Sequence, residues 1–228
     1  MAATRLPGKP LADIGGTPMV LHVMRRAVAA DIGPVFVATE DKIIADAIAA
    51  GGGKAIMTGA HDNGTSRIHA ALAKSESRAE IVINLQGDLP DIASATIRAV
   101  LDPLADPDVA IATAAAPARA EDRDNPNVVK IAASAIGAKR LRCLYFSRAT
   151  IPFGDGPLWH HVGLYAYRRE ALDRYMKLPP SALEVRERLE QLRALEAGMR
   201  IDAAVVEAVP ISVDTPEDLA RAREALAR

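Results

Sequence analysis

The sequence predicts an α/β fold in which a mostly parallel sheet carries helices on both faces. Short apolar runs alternate with stretches of helical spacing between Val35 and Ala115, and this alternation is typical of such a sheet. The clearest strand is Glu80 to Gln86, because its Ile-Val-Ile-Asn-Leu segment suits a central position buried on both faces. From Val128 to Tyr167 the helical signal is weak and strand patterns dominate, so we expect an antiparallel insertion there.

The elements follow one another in a regular order. Periodicity predicts strands and helices in alternation, with strands at Val35–Thr39, Lys54–Thr58, Glu80–Gln86 and Val109–Ala115, and helices at Asp41–Ala50, Thr65–Lys74 and Ile92–Leu104. Three more helices are predicted from capping residues: Thr17 before a helix to about Ala30, Ser181 before a helix that ends ahead of Gly198, and Thr215 before a helix that starts with Pro216.

Composition limits the classes of function. The 228 residues include 28 Lys and Arg against 29 Asp and Glu, a net charge of -1 that argues against a nucleic-acid-coating or membrane-surface protein. Cys143 is the only cysteine, so the chain forms no intrachain disulfide and no cysteine zinc cluster, in agreement with a reducing cytoplasm. No apolar run approaches the roughly 18 residues of a membrane span, and the N-terminus lacks the apolar stretch of a secretory signal.

Two aspartates are candidate metal ligands. Gln86-Gly87-Asp88 follows the clearest strand, and ligands of open α/β sheets bind beyond the carboxyl ends of the strands. A carboxylate there suits Mg²⁺, which prefers oxygen donors and bridges to phosphates. Asp214 stands just before the helix capped by Thr215. The alternatives are a plain turn at Asp88 and a favourable helix-dipole contact at Asp214.

Two loops could bind an anion. Arg5-Leu-Pro-Gly-Lys9-Pro10 is stiffened by its prolines and could hold Lys9 against a triphosphate at low ordering cost, although it is not a Walker loop. Asn63-Gly-Thr-Ser-Arg67 precedes a helix whose N–H groups could bind an anion or a base carbonyl. An exposed Pro-Gly turn and an ordinary helix cap are the simpler interpretations, and for the second loop the simpler one is favoured.

The histidine pair at 160 and 161 does not suit a shared metal. In a strand from Trp159 to Tyr167, adjacent side chains point to opposite faces, whereas His161 and Tyr165 share one face. These two could form a polar wall for a hydroxylated ligand, with core packing of Tyr165 as the alternative. Glu187 and Glu190 fall on one predicted helix, where a solvated face is the default.

Taken together, these strings resemble the 3-deoxy-manno-octulosonate cytidylyltransferase family over essentially the whole chain. They occur in order and at family-like spacing: Arg5-Leu-Pro-Gly-Lys-Pro-Leu11, Val37-Ala-Thr39, Met57-Thr58, Asn84-Leu-Gln-Gly-Asp88, Asn125-Pro-Asn-Val-Val-Lys130, Tyr145-Phe-Ser-Arg148, His161-Val-Gly-Leu-Tyr165, Leu189-Glu-Gln-Leu-Arg193 and Val213-Asp-Thr-Pro-Glu-Asp-Leu219. The resemblance implies a Rossmann-like nucleotidyltransferase sheet, and transfer of CMP from CTP to the anomeric hydroxyl of 3-deoxy-manno-octulosonate (Kdo), with release of pyrophosphate, for lipopolysaccharide biosynthesis.

The resemblance also implies residue roles. Lys9, Asp88 and Asp214 would be catalytic, and the two aspartates would hold Mg²⁺. The expected substrate contacts are Arg5, Lys9, Arg67 and Gln86 to the nucleotide, and Gln86, His161, Tyr165, Glu190 and Gln191 to the sugar. The expected protein is a cytoplasmic homodimer with one domain over 1–228, in which 128–170 is a sugar-binding and dimerisation subdomain.

The chain departs from the family pattern at its start. Relatives usually open with an apolar strand ending in Ile-Pro-Ala-Arg, whereas this sequence begins inside the following loop, so the first family strand is expected to be missing. Leu89 and Ser66 stand where acidic residues are usual. Two alternatives stay open: a cytidylyltransferase for another acid sugar, such as sialic acid or 8-amino-Kdo, and a non-catalytic nucleotide-binding remnant.

Overall fold

The computed structural model describes residues 6–227, which fall into two compact units. The first unit comprises the described residues up to Arg78, Asn84–Arg98 and those from Pro210 onward, and the second comprises Ala79–Ile83 and Ala99–Val209. Arg5, a predicted nucleotide contact, lies outside the described residues. Within the described part of the chain, no helix is both long and apolar enough to span a bilayer.

The first unit contains short strands and most of the longer helices. Its strands form two pairs, antiparallel β1 (Asp13–Ile14) with β2 (Thr17–Pro18) and parallel β3 (Val37–Thr39) with β4 (Ala55–Met57). Its helices are α1 (Met19–Ala29), α2 (Lys42–Ala50), α3 (Gly64–Lys74) and α8 (Pro216–Leu226), while α4 (Ser94–Ala99) ends at the unit boundary. A 3-10 turn at Lys9–Leu11 precedes β1.

Two apolar clusters hold this unit together. Side chains from β1, α1 and α8 form the first cluster, whose buried members are Ile14, Met19, Val213, Leu219 and Ala222. The second cluster joins α1 to α2 through Val20, Leu21, Met24 and Ile48. Val213 is fully buried, so its packing fixes the backbone position at which Asp214 follows.

The second unit is built on a six-stranded sheet. Its strands are β5 (Ile81–Leu85), β6 (Ile111–Pro117), β7 (Lys130–Gly137), β8 (Arg140–Ser147), β9 (Trp159–Arg168) and β10 (Ile201–Val205), in the order β5-β9-β6-β10-β8-β7. The last two residues of β5 belong to the first unit. Helices α5 (Arg169–Met176), α6 (Ala182–Glu187) and α7 (Gln191–Glu196) complete the unit, and α5 packs on β9 while α7 packs on β8.

The predicted α/β class is confirmed, but the sheet is mixed. Strands β6 and β10 are parallel, whereas β6–β9, β8–β10 and β7–β8 are antiparallel. The region expected to be an antiparallel insertion thus supplies strands to the same sheet as β6 and β10. The assignment of 128–170 as a sugar-binding and dimerisation subdomain of a single domain stays a prediction.

Three helix predictions differ from the structure for local reasons. The helix expected at Ile92–Leu104 is split into α4 and a 3-10 turn at Asp102–Ala105, since Pro103 cannot donate a helical N–H. The helix expected after Ser181 is split where Arg188 adopts a left-handed conformation, with φ of 57°. Thr17 does not cap α1, because it pairs within β1–β2 and Pro18 takes the cap position without a side-chain bond.

Candidate active site

Lys9, Asp88 and Asp214 meet in the first unit. The Lys9 Nζ donates a hydrogen bond to Asp88 Oδ2 at 2.9 Å and to Asp214 Oδ1 at 3.0 Å. The side chains of Lys9, Asp88 and Asp214 are 16%, 24% and 60% exposed, so the cluster opens to solvent on the Asp214 side. Two carboxylates that are far apart in sequence therefore flank one cationic group, as expected if they form one site.

Local structure positions each member of this cluster. Gly8, at φ 69°, turns the chain into the 3-10 segment that carries Lys9. Asp88 follows β5, and its main-chain oxygen accepts the Val213 N–H at 3.0 Å. Thr215 caps α8 in a capping box with Asp218, as predicted, and Asp218 Oδ2 also accepts the Asp214 N–H at 3.1 Å. The main chain thus holds both aspartates close together.

The charges of the cluster match a divalent cation. Burial alone would lower the pKa of the Lys9 ammonium, but the carboxylates of Asp88 and Asp214 outweigh burial and raise it. The ammonium accordingly stays charged and stands in for a cation between two oxygen donors, which is the ligand type that Mg²⁺ prefers. Among residues 6–227 no group of three or more His, Cys, Asp or Glu could hold a metal. Mg²⁺ commonly takes several of its ligands from substrate phosphates and water.

Arg67 and Gln86 lie near the start of α3. Asn63 caps this helix by accepting the Ser66 N–H at 2.8 Å, and Arg67 donates to Thr58 Oγ1 and Glu40 Oε1, each at 3.3 Å. Gln86 Nε2 donates to Asn84 Oδ1 at 3.3 Å. A Cβ atom built on Gly64 would lie 3.2 Å from Gln86 Nε2, so the helix start and the Gln86 side chain are in close approach.

Glu40 is a functional candidate that the sequence did not reveal. It directly follows β3, at the carboxyl end of a parallel strand, where ligand contacts are expected. Its carboxylate orients Arg67 across 27 residues of sequence. No sequence signal pointed to this contact, because the two residues come from different parts of the chain.

His161 and Tyr165 lie on one face of β9 in the second unit, as predicted. Their ring centroids are 5.3 Å apart, and His161 Nε2 lies 3.0 Å from Thr113 Oγ1 on β6. Burial, with a smaller contribution from His160, lowers the pKa of His161 to about 3, so its ring is neutral near pH 7. His160 points elsewhere, with Nδ1 3.5 Å from Asp122 Oδ2, so the two histidines do not form one metal site.

Glu190 and Gln191 begin α7. The Tyr175 hydroxyl donates to the Glu190 main-chain oxygen at 3.0 Å, which fixes the start of the helix. Gln191 is only 6% exposed, and within residues 6–227 its Nε2 has no hydrogen-bond partner. A buried amide donor without a partner is costly, and a hydroxylated ligand could satisfy it.

Glu187, which we expected on a solvated helix face, instead joins α6 to the end of β8. Its carboxylate accepts the Ser147 hydroxyl at 2.9 Å and the Arg148 N–H at 3.2 Å. Glu187 and Glu190 do not share a helix, because the left-handed Arg188 separates α6 from α7. Glu187 therefore supports the turn that leads into Glu190 and Gln191. The sequence carried no signal for this contact, since the partner side chains come from a distant strand.

Comparisons with known proteins agree on one family. A family model described as cytidylyltransferase matches residues 1–201. The 3-deoxy-manno-octulosonate cytidylyltransferase of Rhodopseudomonas palustris (strain HaA2) is 62% identical over 231 residues, covering 100% of this chain and 94% of the relative. That of Bradyrhizobium diazoefficiens is 60% identical over 232 residues, with the same coverage.

Solved structures give the same result at the level of the fold. A structure of CMP:2-keto-3-deoxy-manno-octonic acid synthetase complexed with CTP has a TM-score of 0.90 and 41% identity, covering 98% of this chain and 93% of that one. Apo-UDP-glucose pyrophosphorylase, at 11% identity and a TM-score of 0.69 over 100% of this chain and 95% of that one, shares the fold alone. The chain belongs to the 3-deoxy-manno-octulosonate cytidylyltransferase family.

Proposed function

We propose that this chain transfers CMP from CTP to the anomeric hydroxyl of Kdo, forming CMP-Kdo and pyrophosphate. The observation that carries the proposal is the convergence of Asp88 and Asp214 on the single ammonium of Lys9, in a member of this family. We further propose that the enzyme is a cytoplasmic homodimer that supplies lipopolysaccharide biosynthesis, and that its divalent cation is Mg²⁺.

In the reaction, the anomeric hydroxyl gives up its proton to water, its oxygen forms a bond to the α-phosphorus, and the bond from that phosphorus to pyrophosphate breaks. Asp88 and Asp214 would hold Mg²⁺, which when bound neutralises phosphate charge and lowers the pKa of the attacking hydroxyl. Lys9 is charged and leaves its carboxylates to contact the phosphates of CTP. No side chain forms a covalent intermediate, so the residues act by orientation and charge neutralisation.

The two units contribute different contacts. In the first, Arg67 and Gln86 lie near the start of α3 and would bind the nucleotide. In the second, neutral His161 contributes hydrogen bonding rather than charge, and Gln191 offers its buried Nε2 donor to a sugar hydroxyl. Polar groups of this kind select a sugar because a wrong sugar would leave some of their hydrogen bonds unmade.

A pyrophosphate-release assay with CTP, Mg²⁺ and a panel of acid sugars tests the function. We expect Kdo to be the best substrate, ahead of 8-amino-Kdo and sialic acid. Asp88→Asn and Asp214→Asn should each reduce kcat/KM at least about 100-fold, since each weakens charge stabilisation of the transition state. The matched control is Asp46→Asn, which removes a carboxylate paired with the exposed Lys42.

Two outcomes would contradict the proposal. Preference for another acid sugar would contradict Kdo as the substrate, although the reaction class would stay the same. Heat on mixing the chain with Mg·CTP in a calorimeter, without pyrophosphate from any sugar of the panel, would indicate a nucleotide-binding remnant.

A further inference from the structure

Two hydrogen bonds join the segment that leads to Asp214 with the turn that follows Asp88. The Val213 N–H donates to the main-chain oxygen of Asp88 at 3.0 Å. Two residues earlier, the Ile211 N–H donates to the carboxylate Oδ1 of Asp91 at 2.8 Å. The first bond is between main-chain groups and survives most substitutions, whereas the second depends entirely on one side chain.

The carboxylate of Asp91 completes the support of Asp214. On the C-terminal side, the Asp214 and Thr215 N–H groups both donate to Asp218 Oδ2, at 3.1 and 2.9 Å. On the N-terminal side the supports are the buried Val213 and the two bonds above. Without Asp91, the chain before Val213 loses this side-chain anchor and the Ile211 N–H loses its acceptor.

Asp91 is not an ordinary surface carboxylate. It is partly buried, and burial raises its pKa even though the Ile211 N–H and the charge of Arg26 act in the opposite direction. Keeping a carboxylate at such a position has a desolvation cost, which a freely solvated turn residue does not have. The bond to Ile211 spans 120 positions of sequence, so it is a tertiary contact rather than a local turn.

We propose that Asp91 is a positioning residue that fixes the 211–213 segment, and thereby keeps the Asp214 carboxylate beside that of Asp88. This inference rests on the proposed function, because it assigns Asp91 to the cation site of that reaction. Residues that hold a metal ligand in place govern metal affinity although they do not touch the metal.

The test compares Asp91→Ala with Asp91→Asn in the full chain. The probe is Mn²⁺, titrated in the presence of CTP and followed by its electron paramagnetic resonance signal. Asp91→Ala should weaken Mn²⁺ binding about tenfold, the loss typical for a residue that orients a metal ligand, and lower kcat with little change in the KM for Kdo. Asp91→Asn should behave like the unaltered chain, because its amide oxygen can accept the same N–H.

The matched control is Asp41→Ala. Asp41 Oδ1 also accepts a main-chain N–H, that of Ile43 at 2.7 Å, but it caps α2 instead of supporting the aspartate pair. Both alanine variants should lower the melting temperature, and only Asp91→Ala should lower Mn²⁺ affinity. CTP affinity measured without metal separates a change at the cation site from a change in nucleotide binding. If Asp91→Ala is too unstable to study, Asp91→Ser, whose hydroxyl is too short for this bond, should show the same loss.

Unchanged Mn²⁺ affinity in Asp91→Ala or Asp91→Ser, or an equal loss in Asp41→Ala, would overturn the inference. A loss of Mn²⁺ affinity in Asp91→Asn as large as that in Asp91→Ala would also overturn the inference. The proposed function can fail separately: the unaltered chain would then bind Mn²⁺ and CTP without turnover, while the difference between Ala and Asn persisted.

Discussion

Two lysines, one in each unit, show how partners decide what the same side chain does. Lys9 lies between two carboxylates that reach solvent, and they raise its pKa. Lys130 is 0% exposed and donates instead to the main-chain oxygens of Asn125, Val128 and Arg148, at 2.8, 2.9 and 2.7 Å. Burial lowers the pKa of Lys130.

The difference is between an exchangeable and a permanent set of contacts. A carboxylate can trade an ammonium for a metal ion, and an ammonium can trade a carboxylate for a phosphate, so the contacts of Lys9 can be replaced by substrate. The main-chain oxygens around Lys130 are fixed parts of the fold, and loss of the ammonium removes a donor from each of them. The proposed function therefore uses Lys9 in the reaction, whereas the contacts of Lys130 stabilise the loop that precedes β7.

The largest effect is expected from Lys9→Met. Loss of the ammonium should lower kcat/KM about 1000-fold, since a donor aimed at developing phosphate charge is removed. Without nucleotide, the same variant should bind Mn²⁺ more tightly than the unaltered chain, because no cation then occupies the position between Asp88 and Asp214. Steady-state kinetics and a Mn²⁺ titration measure the two effects.

Lys42→Met is the matched control for Lys9→Met. Lys42 also pairs with a carboxylate in the first unit, that of Asp46 at 2.8 Å, but its side chain is 81% exposed. Activity and Mn²⁺ binding should not change. If Lys9→Met kept full activity, Lys9 would not act in the reaction, and its distinction from Lys130 would be lost.

Lys130→Met is expected to act on stability. Three main-chain oxygens, buried or partly buried, lose the ammonium as a donor, so the free energy of unfolding should fall by about 3 kcal/mol, measured by urea denaturation. Lys139→Met, at an exposed lysine of the β7–β8 turn, is the control and should change stability little. If Lys130→Met were as stable as the unaltered chain but inactive, Lys130 would act in the reaction, as proposed for Lys9.

A third test extends the comparison to His161, a partly buried basic group of the second unit. Its folded pKa of about 3 lies below the ordinary 6.5, so between these values the unfolded chain binds a proton that the folded chain does not. Stability should therefore fall as the pH is lowered from 6.5 toward 3, by at most about 1.4 kcal/mol per pH unit for this one proton. His161→Gln should flatten the pH dependence of the unfolding free energy in this range. An unchanged slope would show that His161 is protonated in the folded chain.

The smallest effect is expected from Thr215→Ala, which removes the cap of α8 beside Asp214. The Thr215 side chain accepts the Asp218 N–H, and loss of such a cap lowers stability by about 1 kcal/mol. Thr17→Ala is the control, since Thr17 was predicted to cap α1 but does not. Equal losses of unfolding free energy in both variants would contradict the assignment of the cap.

Signals that are local in sequence predicted local structure well. The strand predicted at Glu80–Gln86 is β5 at Ile81–Leu85, and the helix predicted behind Thr215 is α8, because apolar periodicity and capping act within a few residues. The central position expected for β5 was wrong, since among the described strands β5 is the first in the sheet order and is mostly only partly buried. The break at Arg188 was missed because a left-handed arginine has no sequence signature comparable to glycine. The roles of Glu40 and Glu187 were missed because each depends on a partner from a distant element.

The sequence by itself determined the α/β class, the order of most elements and the family, since these follow from periodicity, caps and ordered motifs. Only the tertiary structure decided that Lys9 contacts residues 79 and 205 positions away, and that Asp91 supports the segment before Asp214. The physical reason is that periodicity describes which face of an element is buried, whereas contacts between distant elements are set by how their buried faces pack together.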